Sequence, residues 1–232
     1  MSLKDDLEAK VKEIFSEQWS ERDGQVVPEP SDLKLSNDAV KLNGVVLYAD
    51  MSESTKLVDR KKAFFAAEVY KSFLHCSAKI IRSEGGKITS YDGDRIMAVF
   101  IGDSKNTSAA RAALKINYAR IQIINPALSA QYPKADYEVQ HTVGVDRSDL
   151  FIARTGVRGS NDLVWVGKAA NHAAKMGGLP NSYPSRISSE VYDSLHDSLK
   201  FSDGKPMWEK VIVGIGLSKP LADRFGKRNI FG

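Results

Sequence analysis

Two aspartates stand where they could share a metal ion. Val45-Val46-Leu47-Tyr48-Ala49 is an apolar run with strand character, and it delivers Asp50 at its C-terminal end, ahead of the helix-opening Ser52-Glu53-Ser54-Thr55. The stretch Gly85-Gly86-Lys87-Ile88-Thr89-Ser90-Tyr91-Asp92-Gly93-Asp94-Arg95-Ile96-Met97-Ala98-Val99-Phe100 reads as two strands around an acidic glycine turn, with Asp94 at the turn. Either aspartate alone would be an ordinary cap or turn former. Together, at adjacent strand ends, they suit a hard divalent cation, which takes oxygen ligands from one or two carboxylates and completes its shell with substrate phosphates. Two such ions can flank an in-line displacement at phosphorus.

Asn171 and Lys175 form a second group. Four residues apart on a helix, they lie on one face, one turn from each other. In isolation that is a solvated face. It gains meaning from the order of parts: carboxylate strand, acidic hairpin, glycine-containing loop, then a helix offering an amide and a cation.

These groups need a scaffold, and hydrophobic periodicity supplies its outline. Leu3, Leu7, Val11, Ile14, Phe15 and Trp19 recur at steps of three and four, which predicts an amphipathic helix over 3–19 that docks on the domain or on a partner subunit. Residues 20–40, with Gly24, Pro28 and Pro30, read as a surface linker. The main domain is expected from 43 to 232, with 1–42 an N-terminal extension. A long helix is predicted from about Ser54 to Ser83, stopped by Gly85-Gly86, and another over 105–123, followed by a loop over 124–137. Residues 137–145 alternate like a strand, with 149–153 as its hairpin partner, 155–161 a flexible loop and 162–166 another strand. Gly167 opens the helix of Asn171 and Lys175. A helix near 188–197 and a closing strand pair around 207–214 end the domain. Strands alternating with helices, joined partly by hairpins, predict an α+β sandwich with helices on one side.

Composition bounds the function. The chain has 232 residues, 42% hydrophobic and 27% charged, ordinary values for one globular domain plus an extension. Its net charge of +4 is scattered, with no basic run interleaved by aromatics, so a nucleic-acid surface is not expected. The single cysteine, Cys76, excludes a disulfide within the chain and reads as a buried thiol. No apolar run approaches the ~20 residues that span a bilayer, and the N-terminus is no secretory signal, so a cytoplasmic protein without membrane insertion is expected. His75, His141, His172 and His196 are too dispersed for a zinc site. No P-loop or dinucleotide glycine signature occurs.

Three segments carry a resemblance. Tyr48 to Thr55, Gly85 to Phe100, and Val166-Gly167-Lys168-Ala169-Ala170-Asn171-His172-Ala173-Ala174-Lys175-Met176 resemble, in order and spacing, the signature blocks of class III nucleotidyl cyclases, over roughly residues 43–215. The resemblance implies a mainly antiparallel sheet with helices packed on it, in a head-to-tail homodimer. It implies that Asp50, Met51 and Asp94 hold two divalent ions, Mn²⁺ or Mg²⁺, while Asn171 and Lys175 come from the other subunit. The ribose 3′-hydroxyl of a nucleoside triphosphate would attack the α-phosphorus and expel pyrophosphate, with Asn171 orienting the ribose.

Lys175 departs from the family's arginine; it keeps the charge and loses the planar fork, and Arg154 or Arg158 could assist. The base-reading positions depart further. Ser90 and Val164 stand where adenylate and guanylate cyclases carry charged or hydrogen-bonding groups, which implies a neutral and smaller pocket. Tyr91 and Trp165 could narrow it or point into the core. In these features, and in Asn161-Asp162-Leu163-Val164-Trp165-Val166-Gly167, the chain is similar to the pyrimidine cyclases of bacterial Pycsar anti-phage systems. That implies UTP or CTP as substrate, uridylate being preferred, and a cyclic product read by a separate effector protein. An adenylate or guanylate cyclase and a silent nucleotide-binding module are the alternatives.

Overall fold

The computed structural model describes residues 2–211 and 221–223. Their packing divides the chain into two compact units, Met1–Asn43 with Asp149–Gly167, and Gly44–Ser148 with Lys168–Gly232.

In the first unit, α1 (Leu3–Ser16) starts at a capping box, Ser2 accepting from the Asp5 amide while the Asp5 carboxylate accepts from the Ser2 amide. Its far end is held by Asn37, whose Nδ2 donates to the carbonyls of Ile14 and Glu17, each at 2.8 Å. No residue of α1 is buried, so its apolar stripe, expected to dock, stands in solvent in the single chain. The expected linker is more ordered than its prolines suggest. β1 (Ser20–Asp23) pairs in parallel with the start of β2 (Asp38–Met51), which begins five residues before the expected domain start. Arg22 fixes this turn-back, donating to Asp38 at 2.6 Å and to the Asp32 carbonyl at 2.7 Å. The unit also holds β6 (Ser160–Val166), paired antiparallel with the second half of β5 (His141–Val157).

The second unit is built on a sheet of order β10-β11-β7-β5-β2-β4-β3, in which β10–β11, β11–β7, β2–β4 and β4–β3 pair antiparallel and β5–β7 in parallel. These are β3 (Lys87–Asp92), β4 (Arg95–Phe100), β7 (Ser185–Ile187), β10 (Trp208–Lys210) and β11 (Leu221–Asp223), with parts of β2 and β5. Side chains alternate across a strand, so the pairing registers assign each face. Val45, Leu47, Ala49, Ile96, Ala98, Phe100, Val143, Val145 and Ile187 point to one side, into a core closed by α3 (Ala63–Ser83) and α4 (Lys105–Ala119) through Phe65, Phe73, Ile81, Ala113 and Ile116. His141 belongs to that side too, fully buried with both ring nitrogens unpaired and its ring centroid 5.7 Å from that of Phe73; burial lowers its pKa to about 3. The opposite side carries Tyr48, Asp50, Met97, Thr142, Gly144, Asp146 and Arg186. On it lies α6 (Lys168–Gly177), so helices cover both faces, not one as expected.

Several boundaries differ from expectation for local reasons. The long helix over 54–83 is two, α2 (Ser54–Arg60) and α3, because Lys61 and Lys62 are extended and the Lys61 ammonium bonds the Ala135 carbonyl. Of the loop expected over 124–137, residues 132–137 are loop but 124–131 are helical: α4 runs through a π-helical turn at Arg120–Ile124 into α5 (Asn125–Gln131), with Pro126 in the first turn of α5. The predicted hairpin between 145 and 149 does not form, since β5 continues straight to Val157. The expected loop over 155–161 is instead a tight hairpin turn at Arg158-Gly159, with Gly159 at φ 84°. The helix near 188–197 is a short α7 (Ser189–Asp193) followed by a 3₁₀ turn at Asp197–Leu199. A two-stranded ribbon, β8 (Phe201–Ser202) and β9 (Lys205–Pro206), precedes β10. Of the closing pair expected around 207–214, residues 212–214 lie outside the described residues, as do the last residues of the expected domain; β10 pairs with β11. Cys76, expected buried, is half-exposed.

Candidate active site

Asp50 ends β2 opposite Arg95, the first residue of β4, and the Arg95 guanidinium donates to Asp50 Oδ2 at 2.9 Å. Burial pushes the Asp50 carboxyl up; Arg95 pulls it back, and Asp94 and Asp92 push it further up. Asp94 sits in the β3–β4 turn beside Gly93 at φ 60°, a conformation that favours glycine. Its Oδ2 is buried and has no hydrogen-bond partner. A buried carboxylate oxygen left unpaired is costly unless a cation meets it.

This donor set fits hard divalent ions. Among the described residues no group of three His, Cys, Asp or Glu side chains could hold a metal, so two carboxylates need further oxygens, as from triphosphate. Met51, also expected at the metals, has its side chain in the core at 3% exposure, so any contribution there would have to come from its backbone carbonyl.

A cavity of about 380 Å³ adjoins Asp50, lined by Ser52, Glu53, Thr142, Gly178, Pro180 and Asn181 among others. Glu53 takes the left-handed conformation, φ 60° and ψ 27°, strained for a non-glycine residue, and pairs with Lys56 at 2.5 Å. Thr142 anchors the far wall by donating to the Gly177 carbonyl.

Ser90 lies on β3 opposite Met97, on the same sheet face as Tyr48 and Asp50, half-buried after a bulge at Ile88/Ser90. Tyr91 points the other way. It is 56% exposed and lines a separate groove with α3 and α5, so it neither narrows a base pocket nor enters the core. Val164 is exposed at 40% on β6, opposite Ala153, and Trp165 is half-buried. Arg154 is engaged within its own unit, donating to Asn161 at 2.8 Å and to the Leu33 carbonyl at 3.1 Å. Arg158 occupies the β5–β6 turn, exposed.

Asn171 and Lys175 are both exposed on α6, and neither makes a hydrogen bond or ion pair with Asp50 or Asp94 among the described residues. The opposite face of α6 is seated firmly. His172 Nδ1 lies 2.9 Å from the buried Asp146 carboxylate, and the Ala169 amide donates to Ser148 at 3.1 Å. At Gly144 a Cβ would stand 2.1 Å from the Ala173 carbonyl oxygen, so only glycine admits the helix at this height. Sequence reasoning passed over Arg95, Tyr48, Thr142 and Gly144; period-two alternation from Asp50 points to Tyr48, and Arg95 directly follows Asp94.

No protein-family profile matches the chain. Two curated relatives do so over most of their length: a uridylate cyclase of Xanthomonas perforans, 51% identical over 212 residues and 91% of each chain, and a uridylate cyclase of Burkholderia cepacia, 52% identical over 210 residues, 90% of this chain and 91% of the other. Among solved structures, the adenylyl cyclase CyaB from P. aeruginosa superposes with a TM-score of 0.65 at 18% identity, over 79% of this chain and 93% of that one. The guanylate cyclase domain of RhGC from Catenaria anguillulae, solved in complex with GTP, gives 0.62 at 15%, over 79% and 99%. At these identities the structures establish the fold, and the relatives establish the kinship: the chain is a nucleotidyl cyclase with the class III cyclase fold and belongs to the uridylate cyclase family.

Proposed function

We propose that the protein converts UTP to 3′,5′-cyclic UMP and pyrophosphate, at composite sites of a head-to-tail homodimer. The observation that carries this is the pair Asp50 and Asp94 at one end of the sheet, one carboxylate neutralised only by Arg95 and the other with an unpaired buried oxygen. Asp50, Asp94 and the Met51 carbonyl would hold two Mg²⁺ or Mn²⁺ ions, which when bound favour loss of the ribose 3′ proton and neutralise charge on the leaving pyrophosphate.

The chain's residues do the rest. Asn171, brought by the second subunit, hydrogen-bonds the ribose and holds the 3′-oxygen in line with the α-phosphorus. Lys175 places a point charge against the phosphate oxygens as the new P–O bond forms and the bond to the β-phosphate breaks. Ser90 and the exposed Val164 offer a short hydroxyl and an apolar contact to the base, a setting that leaves a purine's extra ring without a designed partner. The half-buried Arg95 keeps Asp50 oriented before substrate arrives. The cyclic product would act in the cytoplasm on a separate effector, in bacterial anti-phage defence of the Pycsar type. Support for this comes from the names of the relatives and from the wording of residues 161–171.

The test is purified protein incubated with equimolar ATP, GTP, CTP and UTP plus Mn²⁺, with products read by mass spectrometry. Cyclic UMP alone is expected. Cyclic AMP or GMP would overturn the reading of Ser90 and Val164, cyclic CMP the choice of base, and no cyclic product the catalytic reading itself.

A further inference from the structure

Arg186, on β7, is a buried and poorly compensated charge. It is 3% exposed, yet its Nε and Nη1 are buried without hydrogen-bond partners. Among the described residues its guanidinium makes one hydrogen bond, from Nη2 to the Pro180 carbonyl at 2.6 Å, and the Tyr183 ring covers it at 5.8 Å. No carboxylate pairs with it among the described residues, and burial pushes its pKa down. Replacing such a buried, unpaired cation with an apolar residue of similar size is commonly stabilising, so its presence calls for an anion.

Position says which anion. Arg186 stands in register with Gly144, on the sheet face that also carries Thr142 and Asp50. Its acceptor among the described residues, the Pro180 carbonyl, belongs to a residue that lines the cavity beside Asp50, on a segment that leaves α6 through Gly177-Gly178. A guanidinium fork is matched to phosphate oxygens, and two of its three nitrogens, Nε and Nη1, are idle here.

We infer that Arg186 is a polyphosphate-binding residue of the catalytic cavity, held in reserve under the 178–184 segment and paired with the terminal phosphates of the nucleotide, or with pyrophosphate, when that segment shifts. The inference rests on the proposed nucleotide cyclase site and adds to it a cation that Lys175 alone does not provide. It also accounts for a stability cost. The free protein carries an unpaired charge, and the bound one does not.

The experiment compares wild type with Arg186→Met and Arg186→Lys by thermal melting and by calorimetric titration with inorganic pyrophosphate and with UMP, all in Mn²⁺. Arg186→Met should melt no lower than wild type, bind pyrophosphate at least tenfold more weakly and bind UMP as wild type does. Arg186→Lys should recover part of the pyrophosphate affinity. Unchanged pyrophosphate affinity in Arg186→Met, or a lowered melting temperature with UMP binding lost in parallel, would overturn the assignment and leave Arg186 a structural residue. A wild type that makes cyclic UMP alongside a fully binding Arg186→Met would remove this inference alone, whereas a wild type binding neither probe would remove the cyclase site with it.

Discussion

His141 illustrates how a single residue sets a pH limit. Its neutral ring is buried against Phe73 with neither nitrogen paired, and its pKa falls from the ordinary 6.5 to about 3. A histidine depressed in the folded state contributes stability that is fully present above about pH 6.5, its unfolded value, and is lost as pH drops towards 3. Melting curves of wild type should therefore be level from pH 7.5 to about 6.5 and decline from there to pH 4. In His141→Leu, which removes two unsatisfied nitrogens, the decline should be shallower and the neutral-pH stability equal or higher by about 1 kcal/mol. A parallel decline in both proteins would assign the acid sensitivity elsewhere. At this scale Asp50 and Asp94 draw notice in the sequence as a pair, because two carboxylates at adjacent strand ends suit a hard cation where either alone would be a cap or turn former. Arg95 and Arg186 did not stand out. An arginine's role depends on what surrounds it, and their acceptors lie 45 and 6 residues away.

Among the elements, α6 carries Asn171 and Lys175 on its exposed face and is held by the opposite one. Its seat depends on Gly144, where a methyl group would collide with the Ala173 carbonyl. Gly144→Ala should displace the helix, lowering cyclase activity tenfold or more and stability by about 1–3 kcal/mol, in the range of overpacked cores. Activity assays beside denaturant unfolding would check this; a fall in stability with full activity would mean that the outward face of α6 is not positioned by its seat. The helices and strands themselves were legible from periodicity, because apolar stripes of α3 and α4 and the runs of β2 and β4 read the same in sequence and in space. Breaks were not. Lys61 ends α2 through a carbonyl 74 residues away, and β5 passes straight through Arg147-Ser148-Asp149, a turn-like triplet, because it pairs with different strands along its length. Pro126 looked like a breaker and is a helix starter.

At the scale of the whole molecule, the exposed pair Asn171 and Lys175 has no partner carboxylate in its own chain among the described residues, and neither residue lines the cavity beside Asp50. Head-to-tail assembly would unite them. Mixing an inactive Asp50→Ala variant with an inactive Asn171→Ala variant should restore up to about a quarter of wild-type activity, since random exchange makes half the dimers mixed and each carries one intact site of two. Product formation after proven subunit exchange is the measurement, and none would refute the shared site.

The Arg95–Asp50 pair has a bearing on how such a protein waits. Many metal-dependent folds repel themselves apart when stripped, because their acidic ligands are left facing one another. Here one of the two carboxylates keeps a built-in counter-ion, so if the pair holds metal as proposed, metal scarcity would leave an idle but intact catalyst, ready again on the timescale of ion binding and not of refolding.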